Sequence, residues 1–121
     1  MSPVNTVTIT GTLAEEPLVR YWVDGVARTT IRLRHFRILE QHTDRTGTFD
    51  HFTVHCAGAL AEHVGICFEE GMAVHVTGHL EQRSWVNEEG GQFSTVEIVA
   101  TEVSPSLQGA IAEIHPAPHD R

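Results

Sequence analysis

Five stretches of this chain alternate apolar and polar residues with a period of two, and that repetition commits the sequence to strands with one buried and one exposed face. From Val4 to Leu13, Val7, Ile9, Gly11 and Leu13 alternate with Thr6, Thr8, Thr10 and Thr12. A second extended stretch runs from Leu18 to about Leu39, interrupted by the Asp24-Gly25 turn signal. Within it Thr29, Ile31 and Leu33 take one side, and Arg28, Thr30, Arg32, Arg34 and Phe36 the other. After a polar, turn-rich segment at Glu40 to Thr48, read as a long hairpin loop, Phe49 to Ala57 forms the third strand. There Phe52, Val54 and Cys56 oppose His51, Thr53, His55 and Ala57. Met72 to Trp85 is the fourth, with Val74, Val76, Gly78 and Leu80 toward the core. Phe93 to Val103 is the fifth, reached through the loop at Asn87 to Gly91.

One helix is expected, over Ala59 to Glu70. Leu60, Val64, Cys67 and Phe68 recur at helical spacing, and Gly71 stands where a C-terminal glycine cap belongs. Gly65 inside it costs up to about 1 kcal/mol relative to Ala, so the helix needs its packing face. Three strands, a helix and two strands is the order of an oligonucleotide/oligosaccharide-binding (OB) fold, a five-stranded Greek-key barrel with its helix between strands three and four. The 121 residues suit one such domain. We place it at 1–107, with 108–121 as a short flexible C-terminal tail, because from Pro105 the alternation stops and prolines collect.

Composition narrows the function. No apolar run approaches the roughly 20 residues of a membrane span, and MSPVNTVT lacks the regions of a signal peptide, so a cytoplasmic protein is expected. Cys56 and Cys67 form no CxxC pair and read as buried free thiols. The pairs His51/His55 and His75/His79 lie four residues apart, roughly 13 Å on a strand and too far to share an ion. A cross-strand pairing of His55 with His75 is the remaining metal geometry; solvated histidines or a subunit contact are preferred, and no metal or other cofactor is assigned. GxSxG, HExxH, a glycine-rich phosphate loop and paired cysteines are all missing, so the chain does not read as an enzyme. The net charge of −8 opposes association with a polyanion. Against this, all eight basic residues are Arg, the better phosphate and base-stacking residue, and nine histidines can gain charge near pH 6.

The segment VNTVTITGTLAEEPLVRY resembles the opening of bacterial single-stranded DNA-binding proteins through Asn5, Gly11, Leu13, Pro17, Arg20 and Tyr21. The stretch GALAEHVGICFEEGMAVHVTGHLEQRSW is similar to the same family at Gly58, Leu60, Ala61, Glu62, Gly71, Gly78, Leu80, Arg83 and Trp85. The likeness spans about Val4 to Leu107.

It implies sequence-nonspecific binding of single-stranded DNA in replication, recombination or repair, and assembly as a homo-oligomer, a tetramer more than a dimer. Arg20, Arg28, Arg32 and Arg34 would meet phosphates, while Phe36, His51 and Trp85 would stack on bases. Trp85 matches the family's tryptophan at the end of strand four; a partly buried residue closing the barrel is the other reading. The remaining stacking positions fall at Leu39, His51 and Ala57, none of them aromatic, which points to a divergent paralogue. Glu88 and Glu89 argue against DNA at the last hairpin. The family's acidic, phenylalanine-tipped tail has no counterpart at His119-Asp120-Arg121, so either recruitment of repair proteins by that route is not expected or the chain is a truncated form. The alternative function is an OB-fold assembly module in which nucleic-acid binding is weak or lost.

Overall fold

The computed structural model describes residues 3–41 and 44–118. Six strands and one helix follow in order: β1 Val7–Leu13, β2 Leu18–Tyr21, β3 Ala27–Gln41, β4 Asp44–Ala57, α1 Ala59–Cys67, β5 Ala73–Val86 and β6 Gln92–Pro105. The long second stretch of the sequence is therefore two strands. The Asp24-Gly25 turn folds β2 back onto β3 with Leu18 opposite Thr30 and Tyr21 opposite Ala27. Counted over all strands, the helix lies between β4 and β5. In the closed ring it still joins the third and fourth members, because β2 only extends the edge of β3.

Neighbours in the sheet run β1-β5-β6-β4-β3-β2, and β1 closes the ring by pairing with β3 at Thr12–Arg34 and Leu13–Leu33. Gly11 makes that closure possible. A Cβ there would lie 2.5 Å from the carbonyl oxygen of Arg34, so any other residue would hold the two backbones apart. The closed five-membered ring, with β4 and β6 parallel at Val54–Ile98, is the OB topology expected from the sequence. A bulge in β6 beside Thr77/Gly78 lets β5 and β6 bend around the barrel, as the inserted residue tightens local twist.

The core is Leu13, Ile31, Leu33, Val54, Val64, Val74, Val76 and Ile98, all fully buried. Each such side chain contributes roughly 1.5–3 kcal/mol relative to exposure. Helix α1 plugs one end of the barrel with Ala61 and Val64, and Phe68 follows them into the core. The one buried polar side chain among the described residues, Thr29, donates its hydroxyl to the Ala61 carbonyl at 3.0 Å, tying the plug to β3. Gly65 has a packing reason: a Cβ there would collide with Val19 Cγ2 on β2.

Four expectations change. The helix ends at Cys67 rather than Glu70, because Phe68 turns to extended backbone to enter the core; Gly71 instead sits in the turn into β5. Cys67 is consequently exposed, and only Cys56 is a buried thiol. The polar segment expected to be a loop is mostly ladder, since β3 and β4 stay paired out to Gln41–Asp44; His42 and Thr43 lie outside the described residues. Leu80 points inward but sits where the β5–β6 arm leaves the barrel, so it is 43% exposed. After Pro105 the chain has no regular element through residue 118. Among the described residues no helix is long and apolar enough to cross a membrane.

Candidate nucleic-acid interface

Strand parity sorts the charges. On β3 the inward set Thr29, Ile31 and Leu33 is buried, so Arg28, Thr30, Arg32, Arg34 and Phe36 face outward. The β3–β4 register then sets Arg28 opposite Ala57, Thr30 opposite His55, Arg32 opposite Thr53, Arg34 opposite His51 and Phe36 opposite Phe49. On β2, Val19 packs against the core, leaving Leu18 and Arg20 outward, with Arg20 opposite Arg28. On β5 the outward set continues with Arg83 opposite Thr95 and Trp85 opposite Phe93. One outer surface thus runs across β2, β3, β4, β6 and β5 and carries Arg20, Arg28, Arg32, Arg34 and Arg83. Among the described arginine side chains only Arg37 faces the other way, held by Asp50 at 2.6 Å. Its guanidinium keeps the Asp50 carboxyl below the usual range. Glu62, Glu69 and Glu70 are carried on or just after α1.

The aromatic groups come in sets. Phe36 meets Phe49 edge-on with centroids 5.3 Å apart, and the Arg34 guanidinium lies 4.8 Å over the Phe49 ring. Trp85 stacks on Phe93 at 5.8 Å. Arg28 lies 5.2 Å from the ring centre of Trp22, which projects from the β2–β3 turn. Leu39 is half-buried and Ala57 exposed, so those two positions offer no ring. His51 is exposed beside Arg34.

Where β4 meets β6, three side chains lock together. Glu97 Oε1 accepts from Arg83 Nε at 2.7 Å and from His55 Nε2 at 2.6 Å. The other ring nitrogen of His55 is 3.4 Å from the Thr30 hydroxyl, which donates to it when the imidazole is neutral. Beside this lock lies an open groove of about 740 Å³ lined by Leu18, Arg20, Trp22, Arg28, His55 and Arg83 together with the acids Glu15, Glu16 and Asp24. Asp24 is held below the ordinary carboxylate range, first by the Val26 N–H and then by Arg28. No group of three or more His, Cys, Asp or Glu able to hold a metal occurs among the described residues. His55 bonds to Glu97, while His75 Nδ1 meets the Thr10 hydroxyl at 2.7 Å.

Sequence reasoning missed Trp22, Phe49, Phe93, His55 and, as a site residue, Arg83. Parity alone would have put Phe49 with His51. Trp22 carried a signal in its place beside a turn, where an apolar ring has nothing to bury against. The Glu97 lock carried none, since it depends on the parallel contact of β4 with β6.

A closed five-membered ring joined through one helix, with arginines and aromatic rings gathered on its outer surface, defines an OB-fold protein. The comparisons agree: the profile of the single-strand binding protein family matches residues 4–106. The chain belongs to that family. It is 35% identical over 117 residues to a single-stranded DNA-binding protein of Corynebacterium glutamicum, covering 93% of this chain and 51% of that one. It is 32% identical over 108 residues to single-stranded DNA-binding protein 1 of Xylella fastidiosa, covering 85% and 77%. The chain therefore spans about half the length of the first of these relatives. Among solved structures, a deletion mutant of the single-stranded DNA binding protein from Thermus aquaticus superposes with a TM-score of 0.76 at 26% identity, covering 88% of this chain and 52% of that one. The fold is thus that of its family.

Proposed function

We propose that this chain binds single-stranded DNA without sequence preference along the outer surface of β2, β3, β4, β6 and β5, and serves DNA replication, recombination or repair in the cytoplasm. Arg20, Arg28, Arg32 and Arg34 take phosphates, joined by Arg83. Phe36, His51 and Trp85 stack on bases, joined by Phe49 and Phe93. One observation carries this reading: a chain with net charge −8 places Arg20, Arg28, Arg32, Arg34 and Arg83 on a single face. Arg20 stands directly opposite Arg28, so an anion between them would meet both guanidinium groups. The relatives' names support the same guest. The working unit is a homo-oligomer, a tetramer in preference to a dimer.

A dye-labelled oligo-dT titrated by anisotropy tests this. Saturable binding is expected in low salt, tighter near pH 6 than pH 8. The log–log salt slope should be about −0.7 per phosphate held, and Arg32→Ala and Arg34→Ala should each flatten it by about that amount. Absence of saturable binding at both pH values would overturn the proposal in favour of an assembly module. Light scattering of the same sample should give the mass of four chains; a two-chain mass would correct the oligomer.

A further inference from the structure

A groove opens beside the β2–β3 turn. It is closed at one end by Trp22, which is 61% exposed in a turn stiffened at three points. The Trp22 N–H donates to the Val26 carbonyl at 3.3 Å, the Gly25 N–H to the Trp22 carbonyl at 2.8 Å, and the Val26 N–H to Asp24 Oδ1 at 2.9 Å. The ring itself is steadied by the Arg28 guanidinium 5.2 Å from its centre. A large apolar ring left more than half open to water on a fixed backbone contributes less to folding than a buried one would. It is nevertheless preorganised to receive a second flat group.

The floor of the groove decides which flat group. Arg20 and Arg28 lie directly opposite each other behind the ring, and Arg28 Nη1 is buried without a hydrogen-bond partner. A planar, polar group attached to an anion fits both features. The local charge is nearly balanced, however. Asp24 sits 3.4 Å from Arg28, Glu97 holds Arg83, and Glu15 and Glu16 line the same groove. Stacking, rather than counterion release, must supply most of the affinity here.

We propose that Trp22 and the groove behind it form a separate nucleotide subsite, in which one unpaired base stacks on the indole and its phosphate is held by Arg20 and Arg28. This rests on the reading of the whole face as a single-stranded DNA surface, and it adds an aromatic that offsets the non-aromatic Leu39 and Ala57. Its signature differs from that of the phosphate-holding arginines: loss of the ring weakens binding without changing its salt dependence.

The chain has two tryptophans, so each can be observed alone. In Trp85→Phe the only indole left is Trp22, and its emission should be quenched saturably by oligo-dT with the midpoint given by anisotropy of a labelled strand. Trp22→Ala should weaken binding by about five- to 150-fold, the range for one stacked base, and leave the salt slope unchanged. Trp22 is exposed, so far-ultraviolet circular dichroism of Trp22→Ala should match the parent. DNA bound to Trp85→Phe with unchanged Trp22 emission would overturn the subsite while sparing the wider reading. So would wild-type affinity in Trp22→Ala. Failure of the unaltered protein to bind the labelled strand would overturn both.

Discussion

Replacing Glu97 with Gln should make this protein a better DNA binder. The carboxylate is only 14% exposed and takes both Arg83 at 2.7 Å and His55 at 2.6 Å on one oxygen, so in the free protein it occupies the place a phosphate would want. Two costs fall on any phosphate that recruits Arg83. The ion pair must loosen, and with Arg83 54% exposed that is worth on the order of 0.5–1 kcal/mol. The phosphate must then stand near a fixed negative charge. At a separation of roughly 6 Å in a water-like dielectric, the repulsion is about 0.7 kcal/mol. Together these give about 1.2–1.7 kcal/mol, or close to a tenfold gain in affinity for the Glu97→Gln protein in low salt. The gain should carry a steeper salt slope, by about 0.7, because the charge of the Arg83–phosphate contact is then no longer offset by a neighbouring carboxylate. Gln keeps the shape and can still accept from either partner, so the thermal midpoint should fall only slightly. The measurement is the oligo-dT titration at several salt concentrations. Equal or weaker binding with an unchanged slope would refute the competition and make Glu97 a support that aims Arg83 at DNA.

Two further outcomes follow from the fold. Gly78→Ala should destabilise the domain by roughly 2 kcal/mol or more in urea unfolding, because a Cβ at the bulge would meet the Val99 carbonyl, with Ala100 Cα only 2.9 Å away; a loss below about 0.5 kcal/mol would mean that β6 yields freely there. The thiols should also separate. Burial pushes Cys56 up to about 11 from 9.0, whereas Cys67 is exposed, so a thiol reagent at pH 8 should modify one cysteine quickly and the other only on unfolding. The linkage runs the same way. Only the unfolded chain can ionise Cys56 between pH 9 and 11, so stability should fall as pH rises through that window, and Cys56→Ser should flatten the fall.

Much of this was legible because a strand's side chains obey a strict period of two. Burial of Thr29, Ile31 and Leu33 on one side of β3 leaves Arg28, Arg32, Arg34 and Phe36 no alternative but the outer surface, and the sequence pattern needs no partner strand to show it. What escaped were quantities set by partners. Cys67 continues the helical spacing of Leu60 and Val64, but Phe68 leaves the helix for the core and strands the thiol outside. Leu80 continues the alternation of Val74 and Val76, but the barrel ends before it does.

The same distinction explains why net charge was a poor guide to the surface. A sum over the chain weighs Glu62, Glu69 and Glu70 beside the helix equally with Arg32 and Arg34 on the sheet, although a DNA strand crossing the sheet would lie closest to the arginines. Exposed charges beyond a Debye length of roughly 8 Å are largely screened at physiological salt. What such a strand would meet is the local balance, and of the acids on that face, Asp24, Glu81 and Glu97, it is Glu97 that holds both an arginine and a histidine. Its position was invisible in the sequence because it is fixed by the parallel contact between β4 and β6, strands separated in the chain by the whole of α1 and β5. A surface of this kind can therefore be tuned by one carboxylate at a strand crossing, with the arginine stripe left intact.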